Sequence, residues 1–311
     1  MKAFQAVAAT LFLCLAFAHA APAAEFRGSW TMRPSEADGL VYFGLARRHR
    51  GGSMNSESDW PKSAFRDLDL ATEARHDVSF HIRRDAGRIA CEGFLKAGEG
   101  AGTFRFVPDS SFVKSMGALG FTGIGEEEQF AMAVHDVSLD FARQMKAHDL
   151  RGLTSEKLIA LRIFEVTAQF IREMRAEGAP ATDADKVIAF RMYDVTPALV
   201  RELRQAGLKA DEDELIAMSV HGATPQWIAQ LKNEGYGGTE VSDLIAFRVH
   251  EVSPEFIGKI EKLGYAHPAP DDLIAMRIHG VTPEYIAELK ARGMHDLSID
   301  KLVSLRVHGI D

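Results

Sequence analysis

The chain has 311 residues, 46% of them apolar, and a formal net charge of −8. That length accommodates two ordinary domains, and the apolar share is that of a folded globular protein, not a disordered one. The acidic balance argues against a general nucleic-acid binder, although it leaves room for a local basic patch.

The N-terminal stretch MKAFQAVAATLFLCLAFAHAAPAAEF carries one Lys, an apolar run from Ala6 to Ala18, and small residues at Ala18, Ala20, Ala21, Ala23 and Ala24. This reads as a secretory signal peptide over residues 1–24, cleaved after Ala20 or Ala24. The run of about 13 residues is short of the roughly 20 that a spanning helix needs. Cys14 sits inside the apolar run, whereas a lipid-carrying Cys normally follows small residues, so a lipid anchor is not expected. The reading is a periplasmic or secreted protein with no membrane span after cleavage. Beyond the leader only Cys91 remains, in RIACEGF, so no internal disulfide can form and stability must come from burial. Cys91 reads as a small buried hydrophobe on a strand rather than a reactive thiol.

Residues 25–110 have a period of two, the mark of strands. GLVYFGLARR, DVSFHIRRD, GRIACEGFLKAG and GTFRFVPD are rich in Val, Ile, Phe and Tyr and are punctuated by Gly and Asp. Val78, Phe80 and Ile82 fall on one face; Ser79, His81 and Arg83 fall on the other. Arg83–Arg88 (RRDAGR) is a tight-turn signal. The expectation is one curved antiparallel sheet of five or six strands, with Trp30 and Trp60 as anchors. A lipocalin-like ligand cup is conceivable, although such barrels are larger. His49, His76 and His81 lack metal-ligand spacing and read as surface or loop residues.

Residues 111–311 form an array. A large residue recurs at Phe112, Phe141, Phe170, Leu199, Trp227, Phe256 and Tyr285, with spacings of 29, 29, 29, 28, 29 and 29. Each unit predicts two short helices. The first is clearest in TPEYIAELKARG. There Thr282 is placed as N-cap, Pro283 suits the first turn, Glu284 favours the helix dipole, and Gly293 suits a left-handed stop. Tyr285, Ile286 and Leu289 make its apolar face. The grammar weakens in SLDFARQMKAHD and TAQFIREMRAEG, which lack the Pro. The second helix, DDLIAMRIHG, is apolar on most sides and is expected to be sandwiched between neighbours. Such short helices are marginal alone and cover one another when stacked. The fold class predicted is therefore α+β: a small antiparallel sheet, then an α-hairpin repeat solenoid of about seven 29-residue units.

Two ladders run through the array. One slot holds His135, Phe164, Tyr193, His221, His250, His279 and His308. Equivalent positions lie roughly 10 Å apart in stacked helices, too far to share one metal ion, so the imidazoles read as structural and no metal or cofactor is expected. Two residues earlier come Arg162, Arg191, Arg248, Arg277 and Arg306, with Ala133 and Ser219 in the other units. These arginines are expected either to pair with an Asp or Glu of the next unit, such as Asp194, Glu251 or Glu284, or to bind carboxylates or phosphates of a partner. They are the candidate binding residues.

No catalytic residue is assigned. HEVSP at His250 lacks the second His of a zinc-peptidase motif, and there is no GxSxG, phosphate-binding glycine loop or CxxC. The repeat LIAMRIHGVTPEYIAEL, with GTFRFVPDSSFVKSMGALGF at the junction, resembles repeats of bacterial envelope proteins. Among these are the exported C-terminal parts of membrane metallopeptidases of the beta-lactam-sensor antirepressor class. The resemblance spans Thr103 to Asp311 and implies an extracytoplasmic sensing or binding module. The peptidase's membrane domain and zinc motif are absent here, so proteolysis is not carried over. The functional expectation is a non-catalytic binding or scaffold protein whose array surface takes a protein, peptide or envelope component. The alternatives are a small-ligand carrier or sensor using the β domain, or a hydrolase with an unrecognised site. Nucleic acid is not an expected partner.

Overall fold

A computed structural model describes residues 26–49, 52–65 and 68–309; the signal-peptide reading of residues 1–24 lies outside them, as does the side chain of His49. The chain divides into two compact units. One runs up to Arg83 and includes Arg88–Val107; the other comprises Arg84–Gly87 and the chain from Pro108 onward.

The first unit is built on a six-stranded antiparallel sheet: β1 (Arg27–Pro34), β2 (Leu40–His49), β3 (Gly52–Pro61), β4 (His76–Arg84), β5 (Gly87–Lys96) and β6 (Glu99–Pro108). The strand order is β3-β2-β1-β6-β5-β4. Two three-stranded meanders are thus joined where the first strand pairs with the last, with Ser29 opposite Thr103. Alternation puts Trp30, Met32, Phe80 and Ile82 inside and leaves Ser79, His81 and Arg83 exposed. Cys91 is buried on β5, and burial pushes its thiol well up, which disfavours the thiolate.

The sheet curls around aromatic rings. Four strand spacings separate β2 from β4, about 19 Å in a flat sheet. Yet the Phe43 and Phe80 rings lie only 6.3 Å apart, with Trp30 5.2 Å from Phe80 and Phe65 5.0 Å from Phe43. These rings fill the interior that a ligand cup would leave open. Trp30 is the centrepiece: it is 1% exposed, and its indole N–H donates to the Glu92 carbonyl at 3.1 Å. The indole lies so close to Gly93 and Gly102 that a Cβ at either would come within 2.8 or 2.7 Å of it.

The second unit contains, among the described residues, fourteen α-helices. They are α1 (Ser110–Ala118), α2 (Glu126–Val134), α3 (Leu139–Ala147), α4 (Ser155–Ile163), α5 (Ala168–Glu177), α6 (Ala184–Met192) and α7 (Pro197–Gln205), then α8 (Glu212–His221), α9 (Pro225–Leu231), α10 (Val241–Val249), α11 (Pro254–Lys262), α12 (Pro270–Ile278), α13 (Pro283–Ala291) and α14 (Ile299–Val307). Each odd helix starts on a side-chain cap: Asp109, Ser138, Thr167, Thr196, Thr224, Ser253 and Thr282 all accept from a backbone N–H two or three residues on. The odd helices without a leading Pro, α1, α3 and α5, are capped in the same way, so the side-chain oxygen, not the proline, sets the start. Gly293 ends α13 at φ 88°, as the sequence predicts.

Each even helix contacts the next even helix, from α2 to α14; contacts between successive odd helices include α1 with α3, α5 with α7, α7 with α9, and α11 with α13. Leu273 and Met276 are buried in α12, and Tyr285, Ile286 and Leu289 in α13. In the same unit the buried Gln129 amide donates to the Ala86 carbonyl at 2.7 Å and the Asp109 carbonyl at 2.8 Å. Among the described residues no helix is long and apolar enough to cross a membrane.

Two glycine substitutions should act in opposite directions. Gly102→Ala forces a methyl into the Trp30 cradle and is expected to destabilise the sheet unit by about 1–3 kcal/mol. Gly117, inside α1, has open space where a Cβ would go, so Gly117→Ala is expected to stabilise by about 0.5–1 kcal/mol. Urea unfolding followed by tryptophan fluorescence for the first and far-ultraviolet circular dichroism for the second checks both signs.

Candidate binding surface

Arg162, Arg191, Arg248 and Arg277 of the ladder each join two successive helix pairs. The Nε of Arg162, Arg191, Arg248 and Arg277 donates to the carbonyl of His135, Phe164, His221 and His250 at 3.0–3.1 Å. Each acceptor is at the end of the preceding even helix, where carbonyls lack helical partners. The guanidinium also lies over the large ring of its own helix pair: Arg162 over Phe141, Arg191 over Phe170, Arg248 over Trp227, Arg277 over Phe256 and Arg306 over Tyr285, 4.9–5.3 Å from the centroid. Three of them add an acid: Arg162 with Asp136, Arg191 with Glu165 and Arg277 with Glu251. The pairing runs back to the preceding pair rather than on to the next, and Asp194 and Glu284 are not the observed arginine partners. The reason is geometric. These acids directly follow the carbonyl that the arginine already holds.

The acids occupy left-handed backbone. Asp136, Glu165, Asp194 and Glu251 have φ of 53–57°, and Gly222, Gly280 and Gly309 take the same place elsewhere. For a residue with a Cβ this conformation costs on the order of 1 kcal/mol. Ser219 replaces arginine where Leu199 replaces the ring, and its hydroxyl still donates to the Tyr193 carbonyl. The arginine and the ring are thus present or absent together in every helix pair after the first. The signal was in the sequence, but it emerges only when the two ladders are compared.

A second basic column was missed. Lys146, Arg175, Arg204 and Lys290 donate to the carbonyls of Leu119, His148, Glu177 and Leu263, each 27 residues back. The same construction therefore ties α1 to α3, α3 to α5, α5 to α7 and α11 to α13.

The histidine positions end the even helices: His135, His250, His279 and His308 are C-cap residues, as are Phe164 and Tyr193, and His221 is the last residue of α8. Among the described residues no three His, Cys, Asp or Glu side chains are grouped to hold a metal ion. Burial, with Arg162 nearby, lowers the His135 imidazole below its usual value.

One face of the even helices is not sandwiched, contrary to the expectation from their apolar composition. Ile163, Met192, Val220, Val249, Ile278 and Val307 stand between 46% and 58% exposed. They recur once per helix pair, in step with the large residues of the odd helices. One turn earlier on the same face lie the half-buried Ile274 and Ala275 of α12, and their equivalents Ile216 and Ala217 of α8. The inward face takes Leu and Met or Phe; the outward face is apolar too, and none of the described residues covers it. In α2 the equivalent Val134 is only 6% exposed. Apolar residues scattered singly on a surface are ordinary; here six are aligned at a near-constant interval in one exposed row. A polar cleft of about 580 Å³ beside it is lined by Arg162, Glu165, Phe170 and Arg191.

No protein-family model matches the chain, and no curated protein matches it.

Two outcomes follow from the arginine geometry. Arg277→Ala is expected to cost about 1–3 kcal/mol in chemical unfolding. Leu199→Phe combined with Ser219→Arg supplies the missing ring and guanidinium opposite Asp194, and is expected to gain about 1 kcal/mol. The His135 imidazole is lowered in the folded state, so its contribution is full above the unfolded value and is lost as pH falls through it. His135→Phe, the residue type found at Phe164, should therefore lessen the loss of thermal stability between about pH 7 and pH 5.

Proposed function

We propose that this is an exported, non-catalytic binding and scaffold protein. In this reading the helical unit is an α-solenoid of seven equivalent helix pairs, and its even-helix face receives another polypeptide. The observation that carries it is the row of six half-exposed apolar side chains. Repeat arrays present long surfaces of this kind because each unit adds the same residue to the same side. The resemblance of LIAMRIHGVTPEYIAEL to extracytoplasmic modules of envelope proteins agrees with this role, with sensing as one use of it. The signal-peptide pattern agrees with a periplasmic or secreted location.

The arginine ladder, named first as the binding residues, is better read as the stitching that holds this face in register. Its Nε donors and acid partners are already engaged within the chain. A small-ligand role for the sheet unit finds no support in an interior filled by Trp30, Phe43, Phe65 and Phe80.

Photo-crosslinking in the native envelope tests the reading. A photoreactive residue at Val249 or Ile278 is expected to capture polypeptide, while one at the exposed Glu288 of α13 is not. Capture from Glu288 alone, or from neither face, would overturn it.

A further inference from the structure

We infer that the polypeptide seated on the even-helix face is a second copy of this chain, placed by a two-fold axis running along the row of helices. The inference rests on the binding reading above and adds the identity of the partner.

The first argument is pitch. The exposed side chains repeat at the interval set by helix-on-helix contact in this chain, one for each even helix from α4 to α14. A partner that fills several of the six positions must carry apolar groups at the same interval. A second copy of the row has that interval by construction, whereas an isolated helix or strand repeats far more finely. The surface is also self-complementary in relief. From α4 to α12 each outward face sets a branched residue beside an alanine, as in Ile274–Ala275, Ile245–Ala246 and Ile216–Ala217, and α14 sets Val303 beside Ser304, which gives a projection next to a groove.

The second argument is charge. In five of the six even helices from α4 to α14 the outward face begins with an acid, Ser242 taking that place in α10, and in all six it ends with a base or a ring. In α12 it reads Asp271, Ile274, Ala275, Ile278, His279; in α14 it reads Asp300, Val303, Ser304, Val307, His308. Glu156, Asp185 and Asp213 continue the acidic rim, and the arginine ladder runs beside the histidine rim. Asp185 and Asp213 each pair with a lysine of the preceding even helix yet remain 65% and 77% exposed. A two-fold axis along the row reverses the helix direction across the contact. It lays the acidic rim of one copy against the His and Arg rim of the other. An axis in the face and perpendicular to the row would set acid against acid. A closed two-fold contact uses the same patch twice, which suits a surface with complementary rims. The contact is confined to α4–α14, because Val134 of α2 is already buried.

The test is sedimentation of the mature chain at tens of micromolar, where twice the chain mass is expected. Val249→Asp and Ile278→Asp alter exposed positions and should leave circular dichroism unchanged while weakening dimerisation on the order of a hundredfold, melting falling only by what the dimer contributes. The double variant Asp271→Cys/Ile278→Cys fixes the orientation. The two sites are seven residues apart on one helix, about 10 Å, too far for a bond within the chain, and Cys91 is buried. Oxidation is expected to give a covalent dimer bonded between the two positions. A monomer whose photo-crosslinks to another polypeptide still depend on Ile278 would overturn the second copy and leave the binding reading standing. Loss of all capture would overturn both. A dimer indifferent to both aspartate variants would overturn the assignment of the face.

Discussion

The helical unit depends on one contact more than any other: a guanidinium that joins three things at once. In Arg277 it holds the carbonyl that ends the preceding even helix, pairs with the acid just beyond that carbonyl, and lies over the ring of its own pair. Helices of nine or ten residues leave a large share of their backbone groups unsatisfied at their ends. Each needs a donor at its C-terminal end, and a helix so short has little internal cooperativity to spare. Supplying that donor from the next pair makes the ending of one helix conditional on the placement of another. Lysine could supply the charge but not the fork and the flat face together. The same logic serves the odd helices through Lys146, Arg175, Arg204 and Lys290.

This arrangement explains why a strained residue is tolerated just past the end of several even helices. Asp136, Glu165 and Glu251 sit in left-handed backbone where glycine would be easier, and each is the residue that its arginine reaches. Where Gly222 and Gly280 take the place, the arginine retains its ring without an acid at that position, and at Gly222 the Arg248 guanidinium comes within 3.0 Å of where a Cβ would be. Backbone ease and ionic pairing are therefore alternatives at one position, and the sequence uses both.

Much of this was legible in the sequence because it is written periodically. The recurring large residue and the Ser or Thr before it placed all the odd helices after the first, including α3 and α5, whose missing Pro made the pattern look weaker than it is. The sheet was less legible at its edge. β3, GSMNSESDWP, is an outer strand that buries Trp60 alone among its clearly inward side chains, so it lacks the alternation that reveals β2 and β4. Nor could local pattern reveal that β1 pairs with β6 across some seventy residues. The exposed apolar row was hidden for a different reason. Apolar positions in a short helix announce burial, and composition alone cannot tell Met276, which is buried, from Ile278, which is not. Only the angular position relative to the neighbouring helices separates them. The arginine ladder is legible, and with it the pairing of an arginine with an acid such as Glu251, but a ladder read one residue at a time does not show the carbonyl and the ring that Arg277 also holds.

One joint in the row is made differently. At α8 the serine reaches the Tyr193 carbonyl but has no aromatic plate beneath it, and Asp194 has no arginine there to meet it. In a chain of nearest-neighbour couplings, cohesion is set locally, and the row parts where its coupling is least. Heat, stretching or a protease therefore meets the boundary between α6 and α8 without the arginine fastening, held there by the Ser219 hydroxyl and the Lys186–Asp213 pair instead.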